Sequence, residues 1–89
     1  FTGSPIKRIG RAKFLRNVLI AAGNSGASRL IPRIENLLTD ESALIRASAV
    51  WALSQLMEPA AFDNVCKANA PQESDAMVLE EWDLAAKVD

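Results

Sequence analysis

Histidine and tyrosine are absent from the 89 residues, and cysteine occurs once. Without histidine the chain lacks the commonest general base and the commonest metal ligand, and no nucleophile–histidine pair can form. The single thiol, Cys66, cannot close an internal disulfide or supply a four-thiolate zinc site or an iron–sulfur cluster. Independent catalysis is therefore not expected. Glycine and proline number four each, too few for a loop-rich or many-turned β fold. Apolar runs stop at five residues, as in Val18–Ala22, far short of the roughly 20 that cross a membrane. Phe1-Thr2-Gly3-Ser4-Pro5 lacks the charged-then-apolar order of a signal peptide. The expectation is a cytoplasmic chain with no membrane association. As its first residue is not methionine, it is also expected to be a piece of a longer protein.

What the chain does have is apolar surface. Apolar residues make up 49%, led by 15 alanines and 10 leucines, enough for a packed core in one small domain over residues 1–89. The formal net charge of −1 hides a strong asymmetry. Lys7, Arg8, Arg11, Lys13, Arg16, Arg29 and Arg33 stand in the first 33 residues with no acid among them. The remaining residues carry all 11 acids and three cations. A cationic front of this kind fits an anionic partner, and it fits equally well a basic helix face turned toward the acidic part of the same protein.

Helical periodicity runs through the whole length. Ser4-Pro5 is a start signal, a capping hydroxyl before proline at the first helical position. Gly10 is expected to interrupt the helix it opens. From Arg11 onward, Phe14, Leu15, Val18, Leu19 and Ala22 recur at three- and four-residue spacing, and Gly23-Asn24-Ser25-Gly26 is expected to end that helix. Ser28 is positioned to cap the next, with Pro32 in its first turn and Leu30, Ile31, Ile34, Leu37 and Leu38 facing inward. Thr39-Asp40 turns the chain into a helix carrying Leu44, Ile45, Ala49, Ala52, Leu53 and Leu56. Glu58-Pro59 starts another around Phe62, Val65 and Cys66. After Ala70-Pro71-Gln72, residues 73–88 form the last, with Met77, Val78, Glu81, Trp82 and Ala85 spaced helically.

Two of these helices repeat. Phe14 to Ala22 aligns with Leu44 to Ala52 at an offset of 30 residues, matching Arg16 to Arg46, Ile20 to Val50 and Ala22 to Ala52. A third copy near Met77-Val78 and Trp82 has no clear register. Repeated helix pairs bury their faces only by stacking, which predicts an all-α fold, a short α-solenoid of about three pairs. Residues 30–53, with Asp40-x5-Arg46 and Ala49-x2-Ala52-Leu53, resemble a HEAT-like repeat of the short type.

Individual residues admit both structural and functional roles. Asp40 and Arg46 are expected to pair, bridging the turn and the second helix. Arg16 has Gly10 where Arg46 has Asp40, so it is freer to bind something outside. Trp51 and Trp82 are expected in the core, and Cys66 as a small buried hydrophobe. Glu80, Glu81 and Asp83 point in different directions on a helix and are expected to form a solvated face rather than a metal or acid/base cluster. Gly3-Ser4-Pro5 and Gly23-Asn24-Ser25-Gly26 lack nucleotide-loop spacing, but free N–H groups near Ile6, beside Lys7 and Arg8, suit the phosphates of a nucleic-acid backbone.

Gly3-Ser4-Pro5-Ile6-Lys7-Arg8, followed by Phe14-Leu15-Arg16-Asn17-Val18 and Ala21-Ala22-Gly23-Asn24, resembles the C-terminal region of the epoxyqueuosine reductase family. The resemblance implies a parent oxidoreductase with a cobalamin-binding reductase domain and a ferredoxin-like insert holding two 4Fe-4S clusters, followed by this helical tail. The parent would reduce epoxyqueuosine in the anticodon loop of tRNA to queuosine. This chain would itself be non-catalytic, would hold no cofactor or metal, and would be a monomer helping to bind tRNA through Lys7, Arg8, Arg11, Lys13 and Arg16. Asn17 and Asn24 match family positions and are expected to cap turns or brace helices. Arg29 and Arg33 join the nucleic-acid-binding set on charge alone. A protein–protein scaffold and a clamp closing over the reductase domain remain as alternatives.

Overall fold

The computed structural model describes residues 5–86, with side chains described for residues 10–85; Ser4 and the Gly3-Ser4 part of the opening motif lie outside this range. Five α-helices follow one another: α1 (Pro5–Ser25), α2 (Ile31–Asn36), α3 (Ala43–Leu56), α4 (Pro59–Asn69) and α5 (Ala76–Ala86). Short 3₁₀ turns at Ser28–Leu30 and Leu37–Thr39 flank α2, and another at Ala70–Gln72 follows α4. No strand occurs among the described residues. The all-α repeat fold expected from the sequence is the one observed.

The helices form two layers. In one, α1 and α5 lie on either side of α3 and pack against it. In the other, α2 packs on α3, and α4 on α3 and α5. Each inner helix buries residues spaced by four and then three: Leu15, Leu19 and Ala22 on α1, Ile45, Ala49 and Ala52 on α3, Val78, Trp82 and Ala85 on α5. This settles the third register. The α3-to-α5 offset is 33 residues, so Trp82 corresponds to Ala49 and not to Trp51. Trp82 is 3% exposed and lies against Phe62 of α4, with ring centroids 5.5 Å apart. Ile34 and Leu38 complete the core from the α2 side.

Several local expectations give way to packing. Helix α1 runs unbroken through Gly10, Gly23, Asn24 and Ser25. A glycine inside a helix costs only about 1 kcal/mol, less than the apolar burial gained by continuing along α3. The two glycines differ in purpose. A side chain on Gly10 would meet nothing within 4 Å, whereas a Cβ on Gly23 would lie 2.6 Å from Trp51 Cζ3 and 3.2 Å from Ala52 Cα. Gly23 thus lets α1 approach α3 closely. The turn itself falls to Gly26, whose φ of 72° is left-handed, while Ser25 Oγ donates to the Ala22 carbonyl and accepts from the Ala27 N–H. Ser28 does not cap a helix; it sits inside a 3₁₀ turn. Phe14 and Val18, expected on the buried face, are 66% and 43% exposed, since the core stripe runs through Leu15 and Leu19, about 100° further round the helix.

Three substitutions test this packing in urea or thermal unfolding. Leu53 is fully buried, and Leu53→Ala should cost about 3 kcal/mol through lost burial and the cavity left behind. Gly10→Ala should stabilise by about 0.5–1 kcal/mol, because α1 has room and gains helix propensity there. Gly23→Ala should instead destabilise by about 1–2 kcal/mol as the new methyl displaces the Trp51 ring. Equal shifts for the two glycine variants would contradict the close approach.

Candidate nucleic-acid interface

The cations of the front half divide between the two layers. Lys7 and Arg8 lie on the first turns of α1, and their side chains are outside the described residues. Lys13 is exposed on α1, while Arg29, in the 3₁₀ turn, and Arg33, on α2, are exposed on the outer layer. Arg11 is committed within the fold. Its guanidinium donates from Nη2 to Asp40 Oδ1 at 2.7 Å and from Nη1 to Oδ2 at 3.3 Å. Arg16, three residues beyond Lys13, is half-buried, and its Nε is shielded from solvent with no hydrogen-bond partner.

Arg46 also departs from expectation. It does not bond the Asp40 carboxylate; its Nη1 donates to the Asp40 backbone carbonyl at 2.7 Å. Its other edge forks onto Glu73, Nε to Oε1 and Nη2 to Oε2, both at 3.0 Å. The two bridges are built alike. Asp40 Oδ2 accepts from the N–H of Ser42, the residue before α3, and Glu73 Oε2 from the N–H of Asp75, the residue before α5. Ser42 Oγ then caps α3 by accepting from Ile45 N–H, and Asp75 Oδ1 caps α5 by accepting from Met77 N–H. Each turn acid therefore holds a helix start and an arginine from the preceding inner helix. Glu73 escaped the sequence reading because its parallel with Asp40 is visible only once the 33-residue offset is known.

The acids feel these contacts. The Arg11 guanidinium, opposed by burial and aided by the Ser42 N–H, holds the Asp40 carboxyl below its usual range. Burial pushes Glu73 up, but the Arg46 hydrogen bonds, the N–H groups of Asp75 and Ser74 and the Arg46 charge outweigh it. At Cys66, half-buried against the core, burial and then the Asp63 carboxylate push the thiol up, against the pull of Lys67. That is the wrong direction for a reactive thiolate.

A groove of about 380 Å³ opens along the inner layer, lined by Arg16 and Ile20 of α1, Leu44, Ala47, Ser48 and Trp51 of α3, and Met77 and Glu81 of α5. Trp51, expected in the core, is half-buried at its wall, with one ring edge against Gly23. Glu81, expected on a solvated face, is half-buried here, and burial followed by the charge of Glu80 raises its pKa. No helix among the described residues is long and apolar enough to cross a membrane.

The HEAT repeats family matches residues 10–80. An epoxyqueuosine reductase of Xanthomonas campestris pv. campestris is 41% identical over 54 residues, covering 60% of this chain and 15% of that protein. An epoxyqueuosine reductase of Alicycliphilus denitrificans is 38% identical over 61 residues, covering 60% of this chain and 17% of its own length. The chain thus spans about a sixth of the length of these curated relatives. The resemblance read from the opening motifs is borne out. No solved structure matches significantly.

The bridges give a pH dependence of known sign. Asp40 and Glu73 have depressed folded-state pKa values, so their stabilisation is complete above the ordinary carboxylate range of about 4 and is lost as pH falls through the folded values below it. Thermal unfolding followed from pH 6 to pH 2 should show this loss, and Glu73→Gln should flatten it. Arg46→Met strands a Glu73 side chain that is only 8% exposed, and should cost about 3 kcal/mol near neutral pH.

Proposed function

The chain belongs to the HEAT repeat family, and from that premise we propose that it is a non-catalytic helical module of an epoxyqueuosine reductase-like parent, there to hold tRNA phosphates on its cationic front. The observation that carries this reading is the surplus of positive charge left after the structural bridges are formed. Arg11 is matched by Asp40, but no acid precedes Glu35, and Lys13, Arg29 and Arg33 remain exposed. Arginine and lysine near phosphates release counterions whatever the base sequence, which suits a module that grips the tRNA body. Lys7 and Arg8 join this set through their sequence charge. Base choice and reduction would then belong to the rest of the parent.

Cobalamin and the two 4Fe-4S clusters implied for such a parent do not fit the residues of this chain. Cys66 is the one thiol, its pKa is raised, and there is no histidine to serve as a ligand. In this proposal those groups are held elsewhere in the parent, a cytoplasmic oxidoreductase. The exposed Phe14 and Val18 on α1 favour a second reading, in which α1 clamps onto the reductase domain.

Salt dependence separates the two. The 89-residue chain should bind tRNA weakly, with log affinity falling steeply against log salt. Lys13→Glu, Arg29→Glu and Arg33→Glu combined should weaken binding and make that slope shallower by about 2–3 units, with the circular dichroism unchanged. Arg11 is left intact because a glutamate there would face Asp40. Normal tRNA binding by the triple variant would overturn the phosphate reading. Loss of docking to the reductase domain on Phe14→Ser and Val18→Ser, with tRNA affinity kept, would favour the clamp.

A further inference from the structure

We infer that the groove between α1, α3 and α5 receives one unpaired guanine base of RNA; this deepens the tRNA reading and rests on it. The groove holds a cation and a carboxylate that do not pair with each other, Arg16 on α1 and Glu81 on α5, with apolar walls between them. Arg16 keeps its Nε shielded from water with no acceptor, an arrangement that wants a ligand oxygen or nitrogen. Ser48 offers little, since its hydroxyl already donates to the Leu44 carbonyl. A ligand that fits must be flat enough to lie on Trp51, must present acceptors at one edge and must present donors at another.

Guanine meets all three conditions. Its O6 and N7 are adjacent acceptors matched to an arginine fork. Its N1–H and exocyclic N2 amine are adjacent donors matched to both oxygens of a carboxylate. Adenine would turn a ring nitrogen acceptor toward Glu81, uracil would offer one N–H between two carbonyls, and cytosine has only its N4 amine to donate. The indole supplies a stacking face, and Gly23 fixes its position by admitting the ring edge against the α1 backbone. Burial disfavours a bare Glu81 carboxylate, and two N–H donors would compensate it. Lys13, exposed one turn before Arg16, is placed to meet the phosphate of the same nucleotide. A peptide side chain could satisfy Arg16 or Glu81, but it would not place acceptors and donors on two edges of one stacked ring.

The test uses the 89-residue chain and hairpins of identical stem. Their loops carry one unpaired guanosine, one inosine, which lacks the N2 amine, or one abasic site. Binding is followed by tryptophan emission at fixed salt; Trp82 is buried, so quenching reports Trp51. Guanosine should bind roughly tenfold tighter than the abasic loop, and also tighter than inosine, and should quench emission. Glu81→Gln should erase the guanosine-over-inosine preference while leaving the salt slope and helicity unchanged. Trp51→Phe should remove the quenching. Equal affinity for all three loops with a steep salt slope overturns the groove site and leaves the phosphate reading standing. If no hairpin binds, the phosphate reading fails, and guanosine monophosphate against uridine monophosphate decides the groove. Selective quenching by the guanine nucleotide supports the site, and equal or absent quenching overturns it.

Discussion

Arg46 is the point on which the stack turns. One guanidinium joins the turn that opens α3, through the Asp40 carbonyl, to the turn that opens α5, through both oxygens of Glu73. A planar five-donor fork can do this, and an ammonium cannot, because the two acceptors lie on different edges. Repeats of this class contact only their neighbours, so every inter-repeat joint must be specified locally. Apolar faces supply attraction between the layers without directing one register over another. The fork adds direction. It ties α3 to the start of α5, and Arg11 with Asp40 ties α1 to the start of α3 in the same way.

That device explains which parts of the fold were legible in the sequence. Periodicity marked Leu19, Ala22, Ile45, Ala49, Leu53 and Val78 as buried, and the helix order followed from proline and turn signals. The polar joints were harder to read. Asp40 and Arg46 stand six residues apart, which invites a direct ion pair, but the Asp40 carboxylate is claimed by Arg11 across a separation of 29 residues. No local pattern encodes a partner at that distance. Glycine was misread for a related reason. Gly10 and Gly23 look alike in sequence as helix breakers, yet one is merely tolerated and the other is needed by Trp51 of a different helix.

The candidate site was legible as a charge and not as a shape. Seven cations before Glu35 announce an anionic partner, but the sequence places no one of them relative to another. The fold sorts them: Lys13 and Arg16 on the inner layer, Arg29 and Arg33 on the outer segment, Arg11 within a joint. It also brings Glu81 opposite Arg16, although they are 65 positions apart in sequence, with Trp51 between them. A carboxylate in a C-terminal acidic run reads as surface until the third helix is seen to line the same groove as the first.

The charge asymmetry of the chain follows partly from the same architecture. Turn acids belong at helix starts, where the N–H groups and the helix dipole favour negative charge. Asp40 and Asp75 occupy such positions, Glu73 stands just before one, and all three fall in the rear half because α3 and α5 begin there. Each joint then takes its arginine from the helix before, which moves cations forward by one repeat. Stacking alone therefore separates charge along the chain, cations ahead of the acids they serve. It accounts for Arg11 and Arg46 and for no others. Lys13, Arg29 and Arg33 remain exposed beyond what the stack consumes, and this excess, rather than the raw count of seven, is the charge that can serve a partner.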